Sequence, residues 1–246
     1  MTVTWQNYDA VLFDLDGVIT PTAEVHMRAW SEMFNAFLSS YAGTGDTAPY
    51  SDVDYFAQVD GKPRYDGVRD FLSARGIVLP PGSPDDPPEA ETVCGLGNRK
   101  NDAFNEVLAR DGVEPYPGSV RLIDHLERIR VPMAIVSSSA NAPAVLEAAG
   151  LLDRFRTVVS GKVAAELGLP GKPAPDTFLH AAHELGSTAA RSVVLEDAVS
   201  GVRAGAAGRF GLVVGVDRGA GERTLREAGA SVVVADLADL LPEDAV

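Results

Sequence analysis

Apolar positions along the chain follow two rhythms. Six short runs are continuous rather than alternating and rich in β-branched residues: Ala10 to Phe13, Val131 to Val136, Thr157 to Val159, Val193 to Leu195, Leu212 to Val214 and Val232 to Val234. Runs of this kind suit strands buried on both faces. Between and before the later runs lie stretches of helical character, Ser119 to Ile129, Ala142 to Ala149, Asp176 to Leu185, Ala198 to Ala207 and Glu222 to Ala228. Strand and helix thus alternate from Pro117 to the end of the chain. That alternation predicts an α/β fold: a doubly wound, mostly parallel, Rossmann-like sheet with helices on both faces.

Residues 23–112 break the rhythm. Glu24 to Ser39 places Val25, Met27, Trp30, Met33, Phe34 and Phe37 at helical spacing, and Tyr65 to Ala74 and Asn101 to Ala109 read as further helices. Leu79 to Pro88 holds five prolines, too many for a helix or a central strand, and predicts an exposed loop. The expectation is an inserted, all-helical cap domain of residues 23–112, with residues 1–22 and 113–246 forming the catalytic core. Inserted after the first strand, such a cap would stand over the strands' carboxyl ends.

Composition narrows the class of molecule. The chain has 246 residues, 46% of them hydrophobic and 23% charged, ordinary for a soluble enzyme. Its formal charge of −14 argues against nucleic-acid or anionic-membrane partners, which call for a basic face. No apolar run approaches the ~20 residues of a membrane span. The first seven residues lack a basic stretch followed by an apolar one, and Cys94 is the lone cysteine, so a cytoplasmic protein is expected. A monomer is expected as well.

Candidate chemistry collects at the predicted strand ends. Asp14 and Asp16 follow the first run, with Gly17 to turn the chain. Alternation along an extended chain sends both carboxylates to one side and Leu15 to the other. Two close carboxylates repel unless a cation joins them or one holds a proton, and either outcome serves catalysis. Ser137-Ser138-Ser139 follows Val136, Gly171-Lys172-Pro173 precedes the helix from Asp176, and Glu196-Asp197 follows Leu195. Taken singly, these are a helix cap, a turn and a capping pair. Their joint occurrence, in order, points to phosphoryl transfer. Asp14 can accept the group as an aspartyl phosphate, and Asp16 can move a proton for the attacking or leaving hydroxyl. Asp14 and Asp197, with the Asp16 carbonyl, suit Mg2+, and Glu196 is a ligand or a partner through water. Lys172 and Ser137 supply positive charge and a donor to the transferring phosphate.

Other motifs read more plainly. Gly171-Lys172 lacks the spacing and the Ser/Thr of a nucleotide loop, and Gly201, Gly205 and Gly208 suit close helix packing. His180 and His183 read as a solvated helix face and His125 as a helix-surface residue, whereas His26 opens the helix after the aspartate turn.

Phe13-Asp14-Leu15-Asp16-Gly17, the Ser137 strand end, Lys172 and Glu196-Asp197 resemble the four motifs of the haloacid dehalogenase superfamily. The segment DLDGVITPTAEVHMRAW from Asp14 to Trp30, Gly61-Lys62-Pro63-Arg64 and GKPAPD around Lys172 look most like its β-phosphoglucomutase family. That resemblance implies conversion of β-glucose 1-phosphate to glucose 6-phosphate through bound β-glucose 1,6-bisphosphate, with Mg2+ and a phosphorylated Asp14. It implies that Gly61, Lys62 and Arg64 form a substrate loop, Arg64 holding the phosphate not in transfer. Ser139 and Asn141 would contact substrate from the core, and Thr22 and His26 would belong to the hinge and proton relay.

Two positions depart from that pattern. Ala140 stands where the best-known mutases carry a distal-phosphate lysine, for which Lys62 or Arg99-Lys100 could compensate, and Pro21 replaces an aspartate. The nearest rival is a sugar-phosphate phosphatase on the same core, with water discharging the aspartyl phosphate. A dehalogenase has no use for Asp16 and the phosphate-binding set. A non-catalytic phospho-receiver needs neither Asp16 nor a large helical insertion.

Overall fold

The computed structural model describes residues 3–242. The chain divides into two compact units, Met1–Pro21 with Val113–Val246, and Thr22–Gly112.

The first unit is built on six parallel strands: β1 (Ala10–Phe13), β2 (Met133–Val136), β3 (Thr157–Val159), β4 (Ser192–Glu196), β5 (Leu212–Val216) and β6 (Val232–Val234). Their spatial order is β3-β2-β1-β4-β5-β6. The chain therefore steps outward from β1 on one side, then crosses to β4 on the other, making β1 and β4 the switch point. Ligands of open α/β sheets bind beyond the strands' carboxyl ends at such a point. Register completes the placement, because Phe13 lies opposite Ile135 of β2 and Leu195 of β4. The residue after Phe13 is thus flanked by the ends of both neighbouring strands.

Helices cover the sheet on both sides. Ala10, Leu12, Ala134, Val136, Val194 and Val213 cluster with Phe178, Ala181 and Ala182 of α8 (Asp176–Glu184), Val202 and Ala204 of α9 (Val199–Ala207), and Leu225 of α10 (Glu222–Ala228). The alternate strand residues Val11, Phe13, Ile135, Val193 and Leu195 are equally inaccessible, which explains the unbroken apolar runs. The unit's other helices are α5 (Pro117–Arg128), α6 (Ala142–Ala148) and α7 (Gly161–Glu166), the last not anticipated from the sequence. His125 of α5 corrects another expectation: it is buried, at 7% exposure. A 3-10 turn near the end of the chain, Leu237–Leu240, packs on α5, and the periodicity of α5 alone carries no sign of that second cover.

The second unit is helical, with α1 (Thr22–Ser40), α2 (Asp52–Asp54) running into a π-turn at Tyr55–Val59, α3 (Arg64–Ala74) and α4 (Val93–Asp111). Its own core joins Trp30, Met33, Phe34 and Phe37 of α1 to Tyr50, Val68, Phe71, Leu72 and Leu96, with Phe34 and Phe71 ring centroids 4.0 Å apart. Helix α4 begins eight residues before the expected Asn101. Gly95 and Gly97 lower helix propensity there, but tertiary packing overrides them. Leu79 to Pro88 is irregular and largely exposed. Among the described residues, no helix is long and apolar enough to cross a membrane.

Candidate active site

Lys172 is the organising side chain of the first unit's site. It is 3% exposed, and its ammonium donates to Asp14 Oδ1 at 2.5 Å, Glu196 Oε1 at 2.6 Å and the Val136 carbonyl at 2.9 Å. An ammonium has three protons, so its donors are fully used, and one residue ties the ends of β1, β2 and β4 together. Burial opposes the charge on Lys172, but the Asp14 and Glu196 carboxylates outweigh it and hold the amine protonated, above the usual lysine range.

Asp14 experiences the converse. Burial pushes its carboxyl well above the usual range, the Lys172 ammonium pulls it back, and Glu196 and Asp16 push it up again. Asp14 and Glu196 thus share one ammonium, with the Asp16 carboxylate nearby. The Asp14 amide is anchored on the Leu195 carbonyl at 2.9 Å, which fixes where this carboxylate leaves the sheet.

Glu196 is the last residue of β4 and not, as expected, the first after it. Its Oε2 accepts from the Ala198 amide at 2.8 Å while Oε1 takes Lys172. One oxygen therefore seats the lysine while the other is held by the backbone. A Cβ built on Gly201 would lie 1.7 Å from Glu196 Oε1, so this glycine makes room for the carboxylate, whereas a Cβ on Gly205 would meet Val213 Cγ2 at 3.1 Å.

Asp16 approaches the Ser137 hydroxyl, with Oγ to Oδ2 at 3.5 Å. Ser137 Oγ also receives the Ser139 amide at 3.0 Å, and Ser139 Oγ the Asn141 amide at 3.2 Å, so the loop after β2 folds back on its own hydroxyls. Ala140, in that loop, is exposed. Beyond Asp16 the chain turns at Gly17, whose φ is +83°. The turn is held by the Gly17 amide on the Thr20 carbonyl at 2.8 Å, and by Arg218 Nε and the Ser119 hydroxyl on the carbonyls of Gly17 and Val18 at 2.9 and 2.6 Å. Sequence reading passed over Arg218, which also stacks on Tyr116, its guanidinium carbon 3.9 Å from the ring centroid.

Asp197 stands against this turn: a Cβ on Gly17 would fall 1.9 Å from its Oδ2. The first unit thus brings together Asp14, Asp16, Ser137, Lys172, Glu196 and Asp197. Among the described residues, no three His, Cys, Asp or Glu side chains form a metal cluster. The donor set still fits a hard cation. Asp14 and Asp197 can offer carboxylate oxygens and Asp16 its carbonyl, beside a Lys172 ammonium already shared between two carboxylates.

The remaining expected residues lie in the second unit. Thr22 opens α1 and is buried. His26, further along α1, stacks on Phe104 with centroids 4.1 Å apart and receives Lys100 at Nδ1. Lys100 is 4% exposed and lies 5.1 Å from the ring centroids of both Trp30 and Phe104. The sequence suggested Lys100 only as a substitute phosphate ligand. Its pairing with His26 arises because α1 and α4 pack together, which local sequence does not reveal. Gly61 takes a φ of +67°, Lys62 is ion-paired with Asp70 at 2.6 Å, and Arg64 opens α3.

A profile of the haloacid dehalogenase-like hydrolases matches residues 8–209. The chain belongs to the haloacid dehalogenase-like hydrolase family. Within it, the chain is 51% identical over 239 residues to a Mycobacterium bovis protein named beta-phosphoglucomutase, an alignment covering 94% of this chain and 91% of the relative. It is 34% identical to a Bacillus subtilis protein of the same name, over 95% and 92% of the two chains. A crystal structure described as beta-phosphoglucomutase from Clostridium difficile superposes with a TM-score of 0.76 at 22% identity, covering 96% of this chain and 95% of that one, a likeness of fold. In this haloacid dehalogenase-like chain Lys172 bonds to Asp14, the Val136 carbonyl and Glu196, at the ends of β1, β2 and β4.

Proposed function

We propose that this protein is a β-phosphoglucomutase, converting β-glucose 1-phosphate to glucose 6-phosphate. The observation that carries the reading is the 51% identity over 94% of the chain, a span too long to leave out the helical unit. The catalytic motifs alone serve mutases and phosphatases alike, so extended similarity beyond them supports the narrower activity.

Phosphorylated Asp14 gives its phosphoryl group to the 6-hydroxyl of β-glucose 1-phosphate. The sugar O–P bond forms, the Asp14 O–P bond breaks, and Asp16 takes the hydroxyl proton. The resulting 1,6-bisphosphate presents its other end, and Asp14 attacks the C1 phosphate. The C1 O–P bond breaks, Asp16 returns its proton to O1, and glucose 6-phosphate leaves with Asp14 phosphorylated again. Asp16 alternates between base and acid, a task suited to a carboxylate two positions from the nucleophile. Lys172 and Ser137 offset the charge of the arriving phosphate. Mg2+, held by Asp14, Asp197 and the Asp16 carbonyl with Glu196 behind Lys172, would supply the rest of that positive charge.

In the helical unit, Arg64 takes the phosphate not in transfer, its planar fork matching phosphate oxygens. Gly61 and Lys62 complete that loop, and Ser139, Asn141, Thr22 and His26 line or orient the sugar and its proton path.

Purified protein given β-glucose 1-phosphate, Mg2+ and a trace of the bisphosphate should form glucose 6-phosphate, and Asp14→Asn should abolish turnover. Release of inorganic phosphate without glucose 6-phosphate would replace the mutase with a sugar-phosphate phosphatase.

A further inference from the structure

We infer that Tyr65 and Asn98 are positioning residues that preset the Arg64 guanidinium for its phosphate, with the proline-rich loop as their anchor. This rests on the reading of Arg64 above. The geometry is a continuous chain of bonds. Arg64 Nη2 donates to Tyr65 Oη at 3.1 Å, and Tyr65 Oη donates to Asn98 Oδ1 at 2.9 Å. Asn98 Nδ2 in turn donates to the carbonyls of Pro84 and Asp86 at 3.0 and 2.9 Å. Both protons of the amide are engaged, which leaves Oδ1 directed at the tyrosine and fixes the amide's orientation.

Packing fixes the same assembly a second way. A Cβ on Gly97 would lie 2.8 Å from the Tyr65 ring and 3.2 Å from Arg64 Cγ, so the missing side chain lets both residues lie on α4. The loop is bound down at several further points. Arg99 Nε donates to the Pro88 carbonyl at 2.9 Å, and the amides of Val93 and Cys94 donate to the carbonyls of Pro80 and Pro81 at 3.0 and 3.1 Å. Five prolines restrict the backbone that presents these carbonyls, so their directions vary little. Arginine has many rotamers, and ordering it before the ligand arrives lowers the entropy lost on binding. The loop thereby acquires a positioning role, as the rigid end of a relay running through Asn98 and Tyr65 to Arg64.

The test is a double-mutant cycle on KM and kcat for β-glucose 1-phosphate, using Tyr65→Phe, Arg64→Ala and the pair. Tyr65→Phe keeps the ring and removes only the hydroxyl. It should raise KM about five- to tenfold at nearly constant kcat, the loss of one hydrogen bond's worth of uniform binding. Asn98→Leu should do the same. In the Arg64→Ala background, Tyr65→Phe should change KM less than about twofold, because the relay has lost its terminus. An equal rise in both backgrounds would show a general structural role and overturn the inference, as would an unchanged KM in Tyr65→Phe beside a raised KM in Arg64→Ala. An unchanged KM in Arg64→Ala itself would instead overturn the reading of Arg64, and the relay with it.

Discussion

A methyl group at position 17 would meet two obstacles. The backbone there has φ of +83°, a region L side chains avoid at a cost of about 1–3 kcal/mol. Its Cβ would also fall 1.9 Å from Asp197 Oδ2, so the carboxylate would have to leave the aspartate turn. Gly17→Ala is therefore expected to lower stability by about 1–3 kcal/mol and to weaken Mg2+ binding at the same time. Urea unfolding with and without Mg2+ checks both. A variant destabilised in the apo form but undiminished in metal affinity would show that Asp197 does not depend on the space at Gly17. Glu196 illustrates the complementary case, a carboxylate whose two oxygens are already committed to Lys172 and the Ala198 amide. Its identity was legible in the sequence. Its service to Lys172 was not, because the two meet only when β4 and the loop before α8 are brought together.

Two helices of the helical unit, α2 and α4, begin at capping that sequence patterning only partly displays. Helix α2 is opened by Ser51, whose amide and hydroxyl both donate to Asp54 Oδ2 at 2.9 Å, and Arg75 reaches the same oxygen at 3.0 Å. Partial burial works to raise the Asp54 carboxyl, but the bonds from Ser51 and Arg75 outweigh it and hold it below the usual range. A carboxyl lowered on folding stabilises the native state above its unfolded value, and that contribution fades as pH falls through the folded one. Asp54→Ala should thus cost about 1 kcal/mol at pH 7, and the gap from wild type should shrink near pH 3. A gap of equal size at both values would remove the charge from this account. Helix α4 teaches a related lesson. Thr92 caps it, accepting from the Gly95 amide at 2.9 Å, yet the glycines that follow hide the first two turns from periodicity. They are explained by what packs against α4, which no local window contains.

Charge balance belongs to the molecule entire. With a net charge of −14, the chain repels anions on average, and its strand-end cluster shares one Lys172 ammonium between Asp14 and Glu196, with Asp16 and Asp197 close by. A divalent cation that binds the folded cluster stabilises it by mass action, about 2.7 kcal/mol at one hundred times its dissociation constant. Mg2+ should accordingly raise Tm by several degrees in thermal unfolding, and NaCl at matched ionic strength should not. Equal effects of the two salts would reduce the cluster to a screened surface of negative charge. The strand runs, their alternation with helices and the acidic and basic strand-end motifs were all readable in order along the chain, because periodicity and residue chemistry are local properties. The order β3-β2-β1-β4-β5-β6 and its register were not local, and they are what set Asp14 between the ends of β2 and β4. The burial of His125, the meeting of Lys100 with His26, and the line from Arg64 through Tyr65 to Asn98 likewise came from the fold alone. Each joins side chains brought together by packing between elements, a relation that neither partner's own stretch of sequence contains.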